Sequence, residues 1–124
     1  MEALIIPPTQ STPSVRLNPD GYFEISGNSL PEDVTSFYTI VFDWIKLFAK
    51  TPTSKIDVTF KLTYFNSASS KIILELMNLV EEIFKKGTHV EIHWLYLEID
   101  EDMLESGREY AEMISIPFSF EKYV

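Results

Sequence analysis

The chain lacks cysteine, grouped glycines, long apolar runs and a basic N-terminal region. Without cysteine there are no disulfides, thiolate nucleophiles or cysteine-based zinc sites. The four glycines are not grouped into a phosphate-binding loop, which excludes nucleotide binding of that kind. No apolar run approaches the ~20 residues that cross a bilayer, and the start of the chain lacks the basic region of a signal peptide. These absences favour a cytoplasmic protein.

Basic residues are also few. The 124 residues include 10 Lys and Arg against 19 Asp and Glu, which gives a formal net charge of -9. Nucleic-acid affinity comes mainly from neutralising phosphates, and anionic membranes attract the same basic side chains. The balance therefore argues against nucleic acid and membrane surfaces and favours protein partners. The length predicts one domain over residues 1–124.

Apolar periodicity changes from strand to helix spacing along the chain. Strands are predicted at 4–6, 15–17, 22–26, 55–65, 89–99 and 116–124, and helices from Ser29 to before Pro52, at 67–86 and at 100–114. Strands that alternate with helices predict parallel pairing through crossovers. Because the 55–65 and 89–99 strands each have a polar face, we expect the helices mainly on one side of the sheet.

The first helix is predicted to begin with a capping box. Ser29 would cap it, with Glu32 three residues later. A stripe of Ile40, Trp44 and Leu47 lies away from the helix face that has core spacing. Its simpler interpretation is a wide buried face, and the alternative is an exposed apolar patch that binds a protein partner.

Two clusters could in principle hold a metal ion or perform hydrolysis. His89 and His93 flank Glu91 on one side of a predicted strand, but alternate strand residues are roughly 6.8 Å apart, so these three would not easily meet one ion. The acidic segment 100–112 is typical of a solvated helix start. We therefore predict no metal site and no cofactor. The alternative is a small metal-binding or hydrolytic protein that uses this segment with His89 and His93.

The segment Asn66-Ser67-Ala68-Ser69-Ser70 lies where a strand meets a helix. Hydroxyl and amide side chains at such a position cap free N–H groups, and spacing alone favours this role. Three serines in four positions exceed what capping requires. A helix N-terminus also stabilises a phosphate, so a phosphorylation switch is the second interpretation.

Several motifs, taken in order along nearly the whole chain, resemble the SiaC family of bacterial regulatory phosphoproteins. They are Thr9-Gln10-Ser11-Thr12-Pro13, Gly27-Asn28-Ser29-Leu30-Pro31-Glu32, Phe42-Asp43-Trp44, Tyr64-Phe65-Asn66-Ser67-Ala68-Ser69-Ser70-Lys71 and His93-Trp94-Leu95-Tyr96. The family is similar in fold to STAS-type anti-sigma-factor antagonists. The resemblance thus implies an α/β domain with a STAS-like mixed sheet of about four to six strands and helices mainly on one face.

The resemblance also implies a function. Family members are non-enzymatic partner switches in c-di-GMP and biofilm signalling. A cognate kinase phosphorylates a hydroxyl that follows the Asn, a PP2C-type phosphatase removes the phosphate, and the unmodified form binds and activates a diguanylate cyclase. Carried to this chain, the acceptor is Ser67, with Ser69 as competitor and Asn66, Ser70 and Lys71 around it. The family pattern Asn-Thr-Ser-Ser is replaced here by Asn66-Ser67-Ala68-Ser69, which keeps the first hydroxyl and loses the second.

Overall fold

A computed structural model describes residues 1–124, which form one six-stranded sheet and three helices. The strands are β1 Leu4–Ile6, β2 Ser14–Leu17, β3 Tyr22–Ser29, β4 Lys55–Phe65, β5 His89–Leu97 and β6 Phe118–Tyr123. The helices are α1 Val34–Phe48, α2 Ser67–Lys85 and α3 Glu101–Met113. None of the helices has the length and apolarity required to span a bilayer.

The strands lie in the sheet in the order in which they occur in the chain. The first three are antiparallel neighbours, and β3, β4, β5 and β6 pair in parallel. Each of α1, α2 and α3 connects one parallel pair. The predicted mixed α/β fold is confirmed.

One face of the sheet carries the core. Rows of apolar side chains cross the strands, as in Ile25, Phe60 and Trp94, which are register neighbours. These residues join the buried faces of α1, α2 and α3 in a single cluster of 24 residues. The other face carries polar side chains such as Glu24, Thr59 and His93, none of them buried. Helices on one face leave the other face open, as the alternation in β4 and β5 predicted.

The predicted capping box of α1 is wrong. Ser29 is the last residue of β3, where it pairs with Phe65 of β4, and its side chain is fully buried. The cap is Asp33, whose side chain accepts a hydrogen bond from the Ser36 N–H at 3.1 Å. Pairing with β4 keeps the strand extended to Ser29, so the helix begins later, at the next residue type that can cap it.

The remaining boundaries differ from the predictions by a few residues. The 55–65 strand was predicted correctly, whereas β5 ends at Leu97 and β6 begins at Phe118. α2 ends at Lys85, and Gly87 follows with φ 113°, a backbone conformation that glycine adopts without strain. α3 begins at Glu101 because the Asp100 side chain caps it by accepting from the Met103 N–H.

Candidate functional site

The serine segment forms the tight turn between the end of β4 and the start of α2. Asn66 is the N-cap of α2, and its side-chain oxygen accepts a hydrogen bond from the Ser69 N–H at 2.9 Å. The first helical hydrogen bond runs from the Ser70 N–H to the Asn66 carbonyl, also at 2.9 Å. The capping role expected from the sequence thus belongs to Asn66, and Ser67 becomes the first residue of the helix.

The three serines of the segment have different surroundings. Ser67 is exposed, and no side-chain hydrogen bond of the structure involves its hydroxyl. Ser69 is fully buried. Ser70 is half-buried, and its hydroxyl lies 3.1 Å from the hydroxyl of Tyr110, which itself donates to the Ser70 carbonyl at 2.8 Å. Of the three hydroxyls, that of Ser67 is the one open to a second protein.

The environment of Ser67 suits an anion. In the first turn of a helix the N–H groups have no carbonyl partner within the helix. The Asn66 side chain satisfies the N–H of Ser69, which leaves those of Ser67 and Ala68 available. Lys71 lies one turn later, is exposed, and lines the same shallow depression as Ser67. The helix dipole, the free N–H groups and the lysine would therefore all stabilise a negative charge placed at Ser67.

A chain of buried hydroxyls lies directly behind the turn. The Ser29 hydroxyl is 2.6 Å from the hydroxyl of Tyr38 on α1 and donates to the Ser69 hydroxyl at 2.9 Å. Burial raises the pKa of Tyr38 to about 12, although the hydrogen bond with Ser29 opposes the shift, so its phenol stays protonated at neutral pH. Below, this set of three residues is called the hydroxyl chain.

The hydroxyl chain is not predicted by the sequence patterns, which assign Ser29 to a helix cap. The signal was present in both serines. Ser29 is in phase with the inward-facing Phe23 and Ile25 of β3, and Ser69 is in phase with Ile73 and the rest of the buried face of α2. A hydroxyl in an apolar phase marks a buried polar position.

The stripe on α1 is divided by the structure. Ile40 and Leu47 are 53% and 55% exposed. Trp44 is half-buried, stacks on Phe48 at 5.5 Å between ring centroids, and donates its indole N–H to the Glu2 carbonyl at 2.9 Å. The wide buried face expected as the simpler interpretation is therefore wrong for Ile40 and Leu47, which remain an exposed apolar pair.

The two clusters considered for metal or hydrolytic chemistry do not converge. His93 lies on the open face of the sheet, whereas α3, which contains most of the acidic segment 100–112, packs on the core face, where the Met103 carbonyl accepts from the Trp94 indole. The alternative site that joins this segment to His89 and His93 is therefore contradicted by the geometry.

His93 instead meets a residue that sequence analysis did not single out. Its Nε2 is 2.9 Å from Asp57, and possible ligand atoms of Asp57, Glu91 and His93 lie within 4.8 Å of one another. These groups already have partners, because the Lys55 ammonium is 3.8 Å from both carboxylates and Ser119 is 3.0 Å from His93 Nδ1. The cluster is an ion-pair network on the open face. Asp57 could be placed beside His93 only through the pairing of β4 with β5.

Comparisons with known proteins bear on the family and the fold of the chain. A family model described as SiaC family regulatory phosphoprotein matches residues 6–123. An uncharacterized protein of Pseudomonas aeruginosa strain UCBPP-PA14 is 30% identical over 124 residues, which cover 99% of this chain and 98% of that protein.

Solved structures are similar over the same length. The crystal structure of apo-SiaC from P. aeruginosa matches with a TM-score of 0.89 and 30% identity, covering 98% of this chain and 99% of that one. A chain in the crystal structure of the diguanylate cyclase SiaD in complex with its activator SiaC, from the same species, matches with a TM-score of 0.91 and 30% identity, covering 97% and 99% of the two chains.

Proposed function

This chain belongs to the SiaC family of regulatory phosphoproteins, and we propose that it is a non-enzymatic partner switch controlled by phosphorylation of Ser67. The observation that carries the proposal is the contrast between neighbouring hydroxyls. Ser67 is exposed at the first position of α2, whereas its competitor Ser69 is fully buried. A kinase must bring the acceptor oxygen in line with a transferring phosphoryl group, and this requires an accessible hydroxyl.

The surroundings of Ser67 support both states of such a switch. A phosphate would add about -1.5 to -2 charge next to free N–H groups and near Lys71, where the helix dipole also favours it. Asn66 and Ser70 hold the turn from either side through their own hydrogen bonds. The modified chain therefore keeps its fold, and the change that a partner detects is the charge and bulk at the start of α2.

The partner we propose is a diguanylate cyclase, which the unmodified form binds and activates. The support is the complex in which SiaC is the activator of SiaD, together with the similarity of this chain to SiaC over nearly its full length. Ile40 and Leu47 are candidates for the docking surface because they are exposed and apolar. We assign the phosphorylation to a cognate kinase and its reversal to a PP2C-type phosphatase, as the family resemblance implies.

The same proposal treats residues 1–124 as one regulatory domain that works without a cofactor. It places the domain in the cytoplasm, where a kinase and a cyclase both find nucleoside triphosphates. The chain supplies binding surface and a modifiable hydroxyl, and the cyclase performs the chemistry.

Phosphopeptide mapping tests the acceptor. The full chain would be purified from cells of its own organism that lack the phosphatase, as wild type, as Ser67→Ala and as Ser54→Ala. Ser54 is an exposed serine in the loop before β4 and serves as the matched control. We expect phosphate on Ser67 in the wild type and in the Ser54 variant, and none in the Ser67 variant. Wild-type chain with no phosphate between residues 67 and 70 would refute the switch.

A second experiment tests the consequence of modification. Tagged chains would be used to capture diguanylate cyclase from the same organism, and synthesis of c-di-GMP from GTP would be measured in the captured fraction. Wild type and Ser54→Asp should capture and activate the cyclase, whereas Ser67→Asp should lose most of this effect. Equal capture and activation by all three chains would show that charge at Ser67 does not control the partner.

A further inference from the structure

The core contains two fully buried serines, Ser29 and Ser69, and a hydrogen bond joins them to each other. Burying a hydroxyl in an apolar core is unfavourable unless the hydroxyl is hydrogen-bonded, and an apolar side chain would fill the same space without that requirement. Both serines are 0% exposed and lie behind the exposed Ser67. Their position suggests a role in the turn that carries the acceptor.

The hydrogen bonds of the hydroxyl chain run in one direction. A serine hydroxyl has a single proton, and Ser29 donates it to the Ser69 oxygen at 2.9 Å. The contact of 2.6 Å between Ser29 and Tyr38 must then be a donation from the Tyr38 phenol. Ser29 also accepts the Asn66 N–H with its backbone carbonyl at 3.2 Å. Ser29 therefore makes two hydrogen bonds to the turn, one with the backbone N–H of Asn66 and one with the side chain of Ser69.

We infer that the hydroxyl chain Tyr38–Ser29–Ser69 determines which serine is modified, by withholding Ser69 and presenting Ser67. This inference rests on the proposed acceptor role of Ser67. In phosphoryl transfer the acceptor oxygen forms a bond to the γ-phosphorus of a nucleoside triphosphate, the bond to the leaving diphosphate breaks, and the hydroxyl proton passes to a base of the kinase. The Ser69 oxygen is covered by the core and accepts a hydrogen bond from the Ser29 hydroxyl, whereas the Ser67 oxygen is exposed and accepts no such bond.

A second tyrosine provides a matched control on the other side of the same turn. Tyr110 of α3 is buried, like Tyr38, and its phenol bonds to both the hydroxyl and the carbonyl of Ser70. Tyr38→Phe and Tyr110→Phe make the same chemical change, the loss of one phenol oxygen near the first turn of α2. Only the Tyr38 change severs the chain that ends on Ser69, so the two variants separate a specific effect from general loosening.

The experiment uses a Ser67→Ala background, in which any phosphate on the segment must be on another serine. The full-length chain would be purified from its own cells lacking the phosphatase, as wild type, as Ser67→Ala and as Ser67→Ala combined with Tyr38→Phe, with Ser29→Ala or with Tyr110→Phe. Phosphate at Ser69 and Ser70 would be quantified by mass spectrometry, and circular dichroism would show which chains are folded. The Ser29 variant provides a second test if the Tyr38 variant does not fold.

We expect Ser67→Ala alone to show negligible phosphate on Ser69. Adding Tyr38→Phe or Ser29→Ala should raise it about five- to tenfold, the factor by which losing one buried hydrogen bond shifts a local opening equilibrium. Adding Tyr110→Phe should leave Ser69 unchanged. The inference is overturned if folded Tyr38 and Ser29 variants show no increase, or if the Tyr110 variant shows the same increase. Wild type without phosphate on Ser67 would instead refute the proposed function itself.

Discussion

The contact between Gly107 of α3 and Trp94 of β5 allows a sharp prediction about stability. Gly107 is buried in the helix, and a Cβ built on it would lie 2.7 Å from Trp94 Cγ and 2.5 Å from Trp94 Nε1, well inside van der Waals contact. The Trp94 side chain has little room to move away from this contact. Its side chain is fully buried, its indole N–H bonds to the Met103 carbonyl at 2.9 Å, and its ring packs against Phe60 at 5.6 Å.

The substitution Gly107→Ala sets two effects against each other. Alanine favours a helix interior over glycine by about 1 kcal/mol. Forcing an extra methyl into a packed core costs about 1–3 kcal/mol, and contacts this short belong at the upper end of that range. We therefore expect the free energy of unfolding to fall by about 2 kcal/mol, which for a chain of this length corresponds to a decrease of about 8 °C in Tm.

Urea unfolding followed by circular dichroism and tryptophan fluorescence measures this change. Arg108→Ala is the control, because Arg108 is the exposed neighbour on the same helix and its replacement should alter stability by less than about 0.5 kcal/mol. If Gly107→Ala matches the wild type or exceeds it, helix propensity outweighs the contact and the reasoning from Trp94 is refuted.

Three further predictions concern other parts of the molecule. Hydrogen bonds from the backbone N–H and then the hydroxyl of Ser115 hold the pKa of Glu81 below its ordinary 4.5. The stability that the ionised Glu81 contributes is present above that pH and is lost as the pH falls through the lower folded pKa. Glu81→Gln should therefore lower the free energy of unfolding by about 1 kcal/mol at pH 7 and by less at pH 3. Urea midpoints at both pH values check this, and equal losses would contradict it. Gly87→Ala should lower the free energy of unfolding by about 1–2 kcal/mol because φ is 113° at this residue. Gly21→Ala should lower it more, because φ is 101° and the added Cβ would also meet the Lys55 carbonyl and lie 2.7 Å from Thr53 Oγ1. Thermal melts that rank the two variants in the opposite order would disprove the steric argument. Combining Ile40→Ser with Leu47→Ser should change stability by under about 0.5 kcal/mol each and weaken cyclase capture at least about tenfold, whereas unchanged capture would exclude this pair from the docking surface.

Local patterns in the sequence were sufficient for the elements that carry the site. The alternation in 55–65 predicted β4 without error, and the apolar spacing after Asn66 predicted α2 to within one residue of its end. Both signals are strong because each element has one buried and one exposed face. The join between them, and hence the position of Ser67 at a helix start, followed from the same two patterns.

Contacts between elements could not be predicted in this way. The hydroxyl chain links β3, α1 and α2, and it exists only once the register of β3 against β4 places Ser29 beside the turn. The burial of Ser69, on which the proposed choice of acceptor rests, therefore needed the structure. The meeting of Asp57 with His93 likewise depends on pairing across the sheet. Periodicity shows which face a residue occupies, but long-range register decides which residues it contacts.

The arrangement of the strands in chain order has a consequence for biosynthesis. Each strand pairs with the one made just before it, so the sheet can grow as the chain leaves the ribosome. Each parallel step closes a loop around a single helix, which keeps the entropy cost of closure modest. Tyr38, Ser29 and Ser69 all precede residue 70 and belong to the part of the chain from β3 to α2. The turn that carries Ser67 can therefore assemble on a nascent chain before β5, α3 and β6 have left the ribosome, and Tyr110 joins it afterwards.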